Sequence, residues 1–363
     1  MNRTDALPFD ASLADYQQQA ESLFAALQSG NSDAQWRFKW MHPRFRGKHV
    51  DEVKAATLTL DDAKLLIARE NFFDDWTALA VYTEAVKADG PVRRFEQAVE
   101  AVVSGDVATL RSMLQAHPDL VHARSSRSHH ATLLHYIAAN GVENVRQQTP
   151  ANAVDVAKLL LEAGAVPDAL ADMYDKKCTT MSMLLSSSHP HNAGLQIALA
   201  ETLLDHGALL HGPGTEWASS VMTCLKFGYS DTAEALVRRG APIDNLVVAA
   251  GLGRVEETTG YLPTADSLAR HQALALAAQL GRTNTLKLLL DAGEDPNRLN
   301  PEGFHSHATP LHQAVWADHL ETVKLLVEQG ARLDMRDTLY DSTPLNWANH
   351  GQHTAIAEYL RGS

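Results

Sequence analysis

Apolar positions along the 363-residue chain recur with helical rather than strand spacing almost throughout. From His307, the pair Thr309-Pro310 opens an apolar run to Trp316; a polar turn follows, then Val323, Leu325, Leu326 and Val327 lead to Gly330. Threonine at an N-cap accepts a bond from a free backbone amide, and proline suits the first helical position, where its missing N–H costs nothing. A glycine after the last apolar residue takes the left-handed conformation that ends a helix. The pattern predicts two short helices joined by a turn, and it returns 34 residues later at Thr343. Looser copies begin near Phe95, Ala131, Ser219 and Ala273, and Gly164, Gly207, Gly240 and Gly293 stand at the stop position. The segments from Tyr16 and from Asp61 are also helical in spacing but do not share the repeat.

Each predicted pair is apolar on more than one face and cannot bury it alone, so neighbouring copies must stack. The sequences TPLH from Thr309 to His312 and TLLH from Thr132 to His135, with the endings LLLEAGA and LLVEQGA, resemble ankyrin repeats. The resemblance implies an all-α solenoid of helix-turn-helix units with hairpin fingers, about eight irregular units over residues 92–363. It also implies that His135 and His312 bond backbone between units. Residues 1–90 would form a small helical domain, similar to segments found ahead of bacterial ankyrin proteins. Phe72, Phe73 and Trp76 are available to dock it on the open end of the first repeat.

The irregular units carry information of their own. Threonine and terminating glycine lie 21 residues apart in the unit at Thr309 but 32 apart between Thr132 and Gly164, so an insert must sit between the two helices. A shorter insert follows at Ser186. Loops accept growth cheaply, which is the reading preferred here over a binding ridge. Residues 241–272 hold a short degenerate unit with almost no room for fingers, which implies a notch or a bend.

Composition narrows the function. With 31 basic and 44 acidic residues the net charge is −13, a field that repels a phosphate backbone. One segment departs from this: residues 36–49 interleave Arg37, Lys39, Arg44, Arg46 and Lys48 with aromatics and have no acid. That composition fits a nucleic-acid contact. The preferred reading is that Trp36 and Trp40 face a helical core while the basic groups reach outward, because residues 1–90 still hold 10 bases against 14 acids. No apolar stretch approaches the roughly 18–20 residues of a membrane span. The N-terminus lacks the apolar core of a signal peptide, and the expected location is cytoplasmic. Cys178 and Cys224 read as buried small hydrophobes.

Phosphate-loop, nucleophile-elbow and zinc-protease motifs are absent, and GLGRVE at Gly251 matches only the opening of a dinucleotide fingerprint. His189/His191 and His305/His307 have ligand-like spacing, but each pair needs a third and fourth ligand from elsewhere to hold zinc. The expectation is therefore a scaffold without catalytic residues, metal or cofactor, which binds another protein through its concave face of fingers and inner helices. Two alternatives remain open. One is a small-molecule sensor or enzyme at the inserts of units two and three, or at the notch. The other is a nucleic-acid-linked regulator acting through residues 36–49. Finger tips should be polar, yet most carry an aromatic, and interface anchors are enriched in aromatic residues and arginine. The expected contact set is Arg124, Arg127, Met173, Tyr174, Trp217, Phe304 and Tyr340.

Overall fold

The computed structural model describes residues 6–210 and 219–363. Contacts divide the chain into two units, residues 1–216 and 217–363.

Among the described residues the first unit opens with five α-helices: α1 (Leu13–Gln28), α2 (Ser32–Met41), α3 (Val50–Ala55), α4 (Leu60–Glu70) and α5 (Trp76–Ala85). Ser12 and Thr59 start α1 and α4 with full capping boxes closed by Asp15 and Asp62. Tyr16, Phe38, Phe45, Leu66, Ile67, Phe73, Leu79 and Tyr82 form a shared core among these helices. The first repeat follows as α6 (Pro91–Ser104) and α7 (Val107–Ala116). In the second, a 3-10 helix at Leu133–Ala138 stands in place of the first α-helix, and α8 (Ala153–Glu162) is the second member. A two-stranded hairpin, β1 (Ala171–Met173) with β2 (Lys176–Cys178), is the next finger. Tyr174 and Asp175 both take positive φ at its tip, the geometry of a two-residue hairpin turn. The third repeat is α9 (Thr180–Leu184) and α11 (Gln196–Asp205), with the insert helix α10 (Ser188–Asn192) between them.

The second unit contains five pairs: α12 (Ser220–Lys226) with α13 (Ser230–Arg238), α14 (Leu246–Leu252) with α15 (Val255–Tyr261), α16 (Ser267–Gln279) with α17 (Thr283–Asp291), α18 (Pro310–Trp316) with α19 (Leu320–Glu328), and α20 (Pro344–His350) with α21 (Thr354–Gly362). Thr309 and Thr343 cap α18 and α20 ahead of proline, and Gly330 takes the left-handed conformation after α19, as the sequence pattern requires. The degenerate unit at α14 lets its neighbours close in. A Cβ at Gly251 would lie 2.7 Å from Leu276 and 3.0 Å from Leu225, so glycine permits α12 and α16 to approach across α14. Gly251 thus serves close packing inside a helix; the parallel strand that must precede a dinucleotide loop does not exist there.

Candidate functional site

The two Thr-x-x-His corners are structural. Thr132 N–H donates to Nδ1 of His135, while Nε2 of the same ring lies 3.3 Å from the Cys178 carbonyl in the next unit. His312 repeats the arrangement with Thr309 and with the Ser342 carbonyl at 3.1 Å. With Nδ1 already accepting, the ring is neutral and protonated at Nε2. Burial pushes His135 down to about 4 and His312 in the same direction.

The finger residues expected at a partner surface divide sharply. Arg127 is 3% exposed. Its guanidinium donates to the Asn71 carbonyl and the Tyr82 hydroxyl, lies over the Phe73 ring and pairs with Glu143 at 2.5 Å. Ser128 N–H donates to the Phe72 carbonyl, and the Phe72 ring meets His129 edge-on. The first finger is therefore spent on docking the N-terminal helices, and burial removes Arg127 from the contact set. Met173 is buried too, with its sulfur packed over Gly141, where a Cβ would lie 2.6 Å away. Phe304 is buried under the Lys226 ammonium, 4.5 Å from its ring centroid. A tip that folds back onto its own array hides its ring, and sequence spacing does not encode that fold. Arg124, Tyr174 and Tyr340 do reach the surface. Arg124 donates to the His130 and Leu170 carbonyls, and the Tyr174 hydroxyl donates to Asn140. Trp217 and its finger lie outside the described residues.

The insert of the second unit is neither idle loop growth nor a ridge. It delivers Glu143 and Arg146 into a buried network with Glu96 and Arg127. Arg146 pairs with Glu96 at 2.5 Å, with Glu143 at 2.9 Å and with Glu100 at 2.8 Å. Burial would raise Glu143, but Arg127, His129 and Arg146 outweigh it and hold the carboxyl well below its ordinary value.

Residues 36–49 correct another expectation. Phe38 and Phe45 occupy the core, whereas Trp36 and Trp40 stack on each other at the surface, Trp40 being 66% exposed. The helical spacing is the same, but α2 turns a different face inward. Arg37 pairs with Glu70, Arg46 with Asp175 and Lys48 with Glu52. Three of the five basic groups that suggest a nucleic-acid contact thereby have acidic partners within the chain. Among the described residues no group of three or more His, Cys, Asp or Glu side chains could hold a metal, and His189 and His191 sit on the short α10.

What remains open is a groove in residues 217–363 between the inner helices and the last two fingers. Aromatic rings run along it. Tyr340 and His307 are 6.2 Å apart by centroid, His307 and Trp347 5.9 Å, Trp347 and Trp316 5.9 Å, and Trp316 and His350 6.2 Å. Trp316 is 52% and Tyr340 67% exposed. Trp347 is held by its indole N–H, which donates to Asp337 at 3.0 Å. Burial opposes the Asp337 charge, but the amides of Tyr340, Leu339 and Ser342, together with the indole, hold the carboxyl below its ordinary value. The rings and the amides of Gln313, Asn346 and Asn349 enclose about 730 Å³. An adjoining cavity of about 440 Å³ shares His305, Gln313 and Trp316 and extends to Gln279 and Lys226. Finger tips alone do not point to Trp316 and Trp347. The signal that marks them is an aromatic at an inner-helix position facing the fingers.

Comparison with known proteins agrees with this architecture. The family model for ankyrin repeats matches residues 247–337 and 274–363. Human cyclin-dependent kinase inhibitor 2A is 33% identical over 125 residues, which is 33% of this chain and 77% of that protein. Human cyclin-dependent kinase 4 inhibitor B is 30% identical over 126 residues, 34% of this chain and 88% of that protein. The ankyrin repeat and KH domain-containing protein mask-1 of Caenorhabditis elegans is 23% identical over 309 residues, 83% of this chain but 11% of that protein. With repeat pattern, inter-unit histidine bonds and relatives in agreement, the chain belongs to the ankyrin-repeat family.

Proposed function

We propose that the chain is a non-catalytic scaffold that binds another protein in the groove lined by Trp316, Trp347 and Tyr340. The observation that carries this reading is the run of half-exposed rings around a cavity, since large apolar groups left open to water mark interaction sites. Two relatives are named as inhibitors of kinases, proteins that act on another protein. Tyr174 and Arg124 are secondary contacts on the first unit's fingers. Cys178 and Cys224 are buried free thiols, which suits a reducing compartment and supports a cytoplasmic location. The test is affinity capture with the full chain against the double variant Trp316→Ala/Tyr340→Ala. The variant should melt as the wild type does and retain its partner at least ten-fold less well, which corresponds to about 1.4 kcal/mol. Undiminished capture by a folded variant refutes this face.

A further inference from the structure

The groove has one cationic end. Among the described residues neither of its two adjoining cavities is lined by a carboxylate, and Lys226 is the one lysine or arginine on their walls. The other lysines of this unit have acidic partners: Lys287 pairs with Asp291 and Lys324 with Glu321. Lys226 has none among the described residues, although the chain as a whole carries −13. Its ammonium is also held in place. It sits 4.5 Å over the Phe304 ring of the folded-back finger, and the main chain that carries it is tied down where the Gln279 side chain donates to the Lys226 backbone carbonyl. A partly desolvated cation without a counter-charge is costly unless a partner supplies the anion.

We infer that the groove takes an extended peptide that sets one carboxylate against Lys226 and places an aromatic or bulky apolar side chain among Trp316, Trp347 and Tyr340. This rests on the scaffold reading and names the chemistry of its partner. The two ends call for different groups. Lys226 offers a point charge fixed at one end, whereas the rings at the other offer flat apolar faces with no fixed charge. His305 lies where the two cavities meet, and burial lowers its affinity for a proton, so near neutral pH it does not compete for the anion. The exposed amides of Asn346 and Asn349 supply donors and acceptors for a peptide main chain. Each cavity alone has the size of a small-molecule site; joined end to end they suit several residues of extended chain.

The test pans a phage-displayed random dodecapeptide library against the full chain in 0.15 M salt, with Trp316→Ala/Tyr340→Ala as the counter-selection. The enriched peptide is synthesised together with a copy in which its acid is replaced by the amide. Both are titrated against wild type, Lys226→Met and Lys226→Arg. The expected consensus holds an Asp or Glu at a fixed spacing from an aromatic or bulky apolar residue. Lys226→Met should weaken the acidic peptide at least ten-fold, leave the amide peptide unchanged and melt like the wild type, while Lys226→Arg keeps binding. Equal binding of the acidic peptide to wild type and Lys226→Met, with loss in the ring variant, overturns the charge assignment and leaves the scaffold reading standing. Peptides that bind the ring variant as well as the wild type, or no enrichment over it, overturn both.

Discussion

The finger at residues 124–130 in the first unit and the finger at residues 301–307 in the second each carry a pair of histidines and one large side chain turned inward, Arg127 or Phe304, and use them differently. In the first, Arg127 and His129 are drawn into a buried cluster with Glu96, Glu143 and Arg146, and the tip fastens the N-terminal helices to the repeats. In the second, Phe304 folds inward under Lys226, but His305 and His307 stay beside Trp316, Trp347 and Tyr340 at an open groove. Where a finger meets another structural element its charges are satisfied inside the fold and serve cohesion. Where it meets solvent, the rings and the Lys226 ammonium stay available.

The largest effect is expected in the buried cluster of the first unit. Arg146→Ala leaves Glu96 and Glu143 buried with Arg127 and the His129 ring as their remaining partners, and removing one partner from a buried ion pair costs about 3–5 kcal/mol. Urea unfolding should show that loss, whereas Arg332→Ala, which breaks the exposed pair with Asp334 in the second unit, should show no measurable change. Equal losses in the two variants would erase the contrast between cohesive and solvent-facing charges.

A pH titration of stability probes the inter-unit corners. His135 is neutral in the fold down to about 4, whereas the unfolded chain takes up its proton near 6.5. The unfolded state thus binds more protons between these values, so stability falls as pH drops through that window, by up to about 1.4 kcal/mol per unit. His312 contributes in the same direction. His135→Gln should be less stable at neutral pH and show a flatter profile between pH 6.5 and 4; an unchanged slope would mean that the corner does not titrate as described.

The smallest expected effect concerns the close approach at α14. Gly251→Ala introduces a Cβ 2.7 Å from Leu276, and overpacking of this kind costs about 1–3 kcal/mol, offset in part by alanine's better helix propensity. Net destabilisation by thermal melting, partly recovered by Leu276→Val, is the expected result; a stabilised variant would show that the helices have room to separate.

Much of the scaffold is legible in the chain itself. Thr309-Pro310, Thr343-Pro344 and the glycines after α8, α11, α13, α17 and α19 act through local backbone chemistry, and local chemistry is written in adjacent residues. The corner histidines are legible by resemblance, since their partner lies one repeat along. The site is legible only in part. Tip position brings Tyr340 to the surface, but it misplaces Arg127, Met173 and Phe304, because the rule that loop tips are exposed fails when a tip docks the N-terminal helices, as at Arg127, or packs back onto the array, as at Met173 and Phe304. Helical spacing puts Trp36 and Trp40 inside, yet spacing identifies a face of a helix without saying which face turns inward, and Phe38 and Phe45 occupy that core.

The repeating helix pairs, their starts and stops, and the need to stack follow from the order of residues alone, because each depends on positions a few residues or one period apart. That Arg146 reaches Glu96, that Phe304 covers itself with Lys226, and that Trp316 and Trp347 share one groove with Tyr340 is settled by the packing of whole units. Arg146 with Glu96, Phe304 with Lys226 and Trp316 with Trp347 join residues about 30 to 80 positions apart, and such partners are chosen by how successive units stack and how long fingers bend, which no local pattern records.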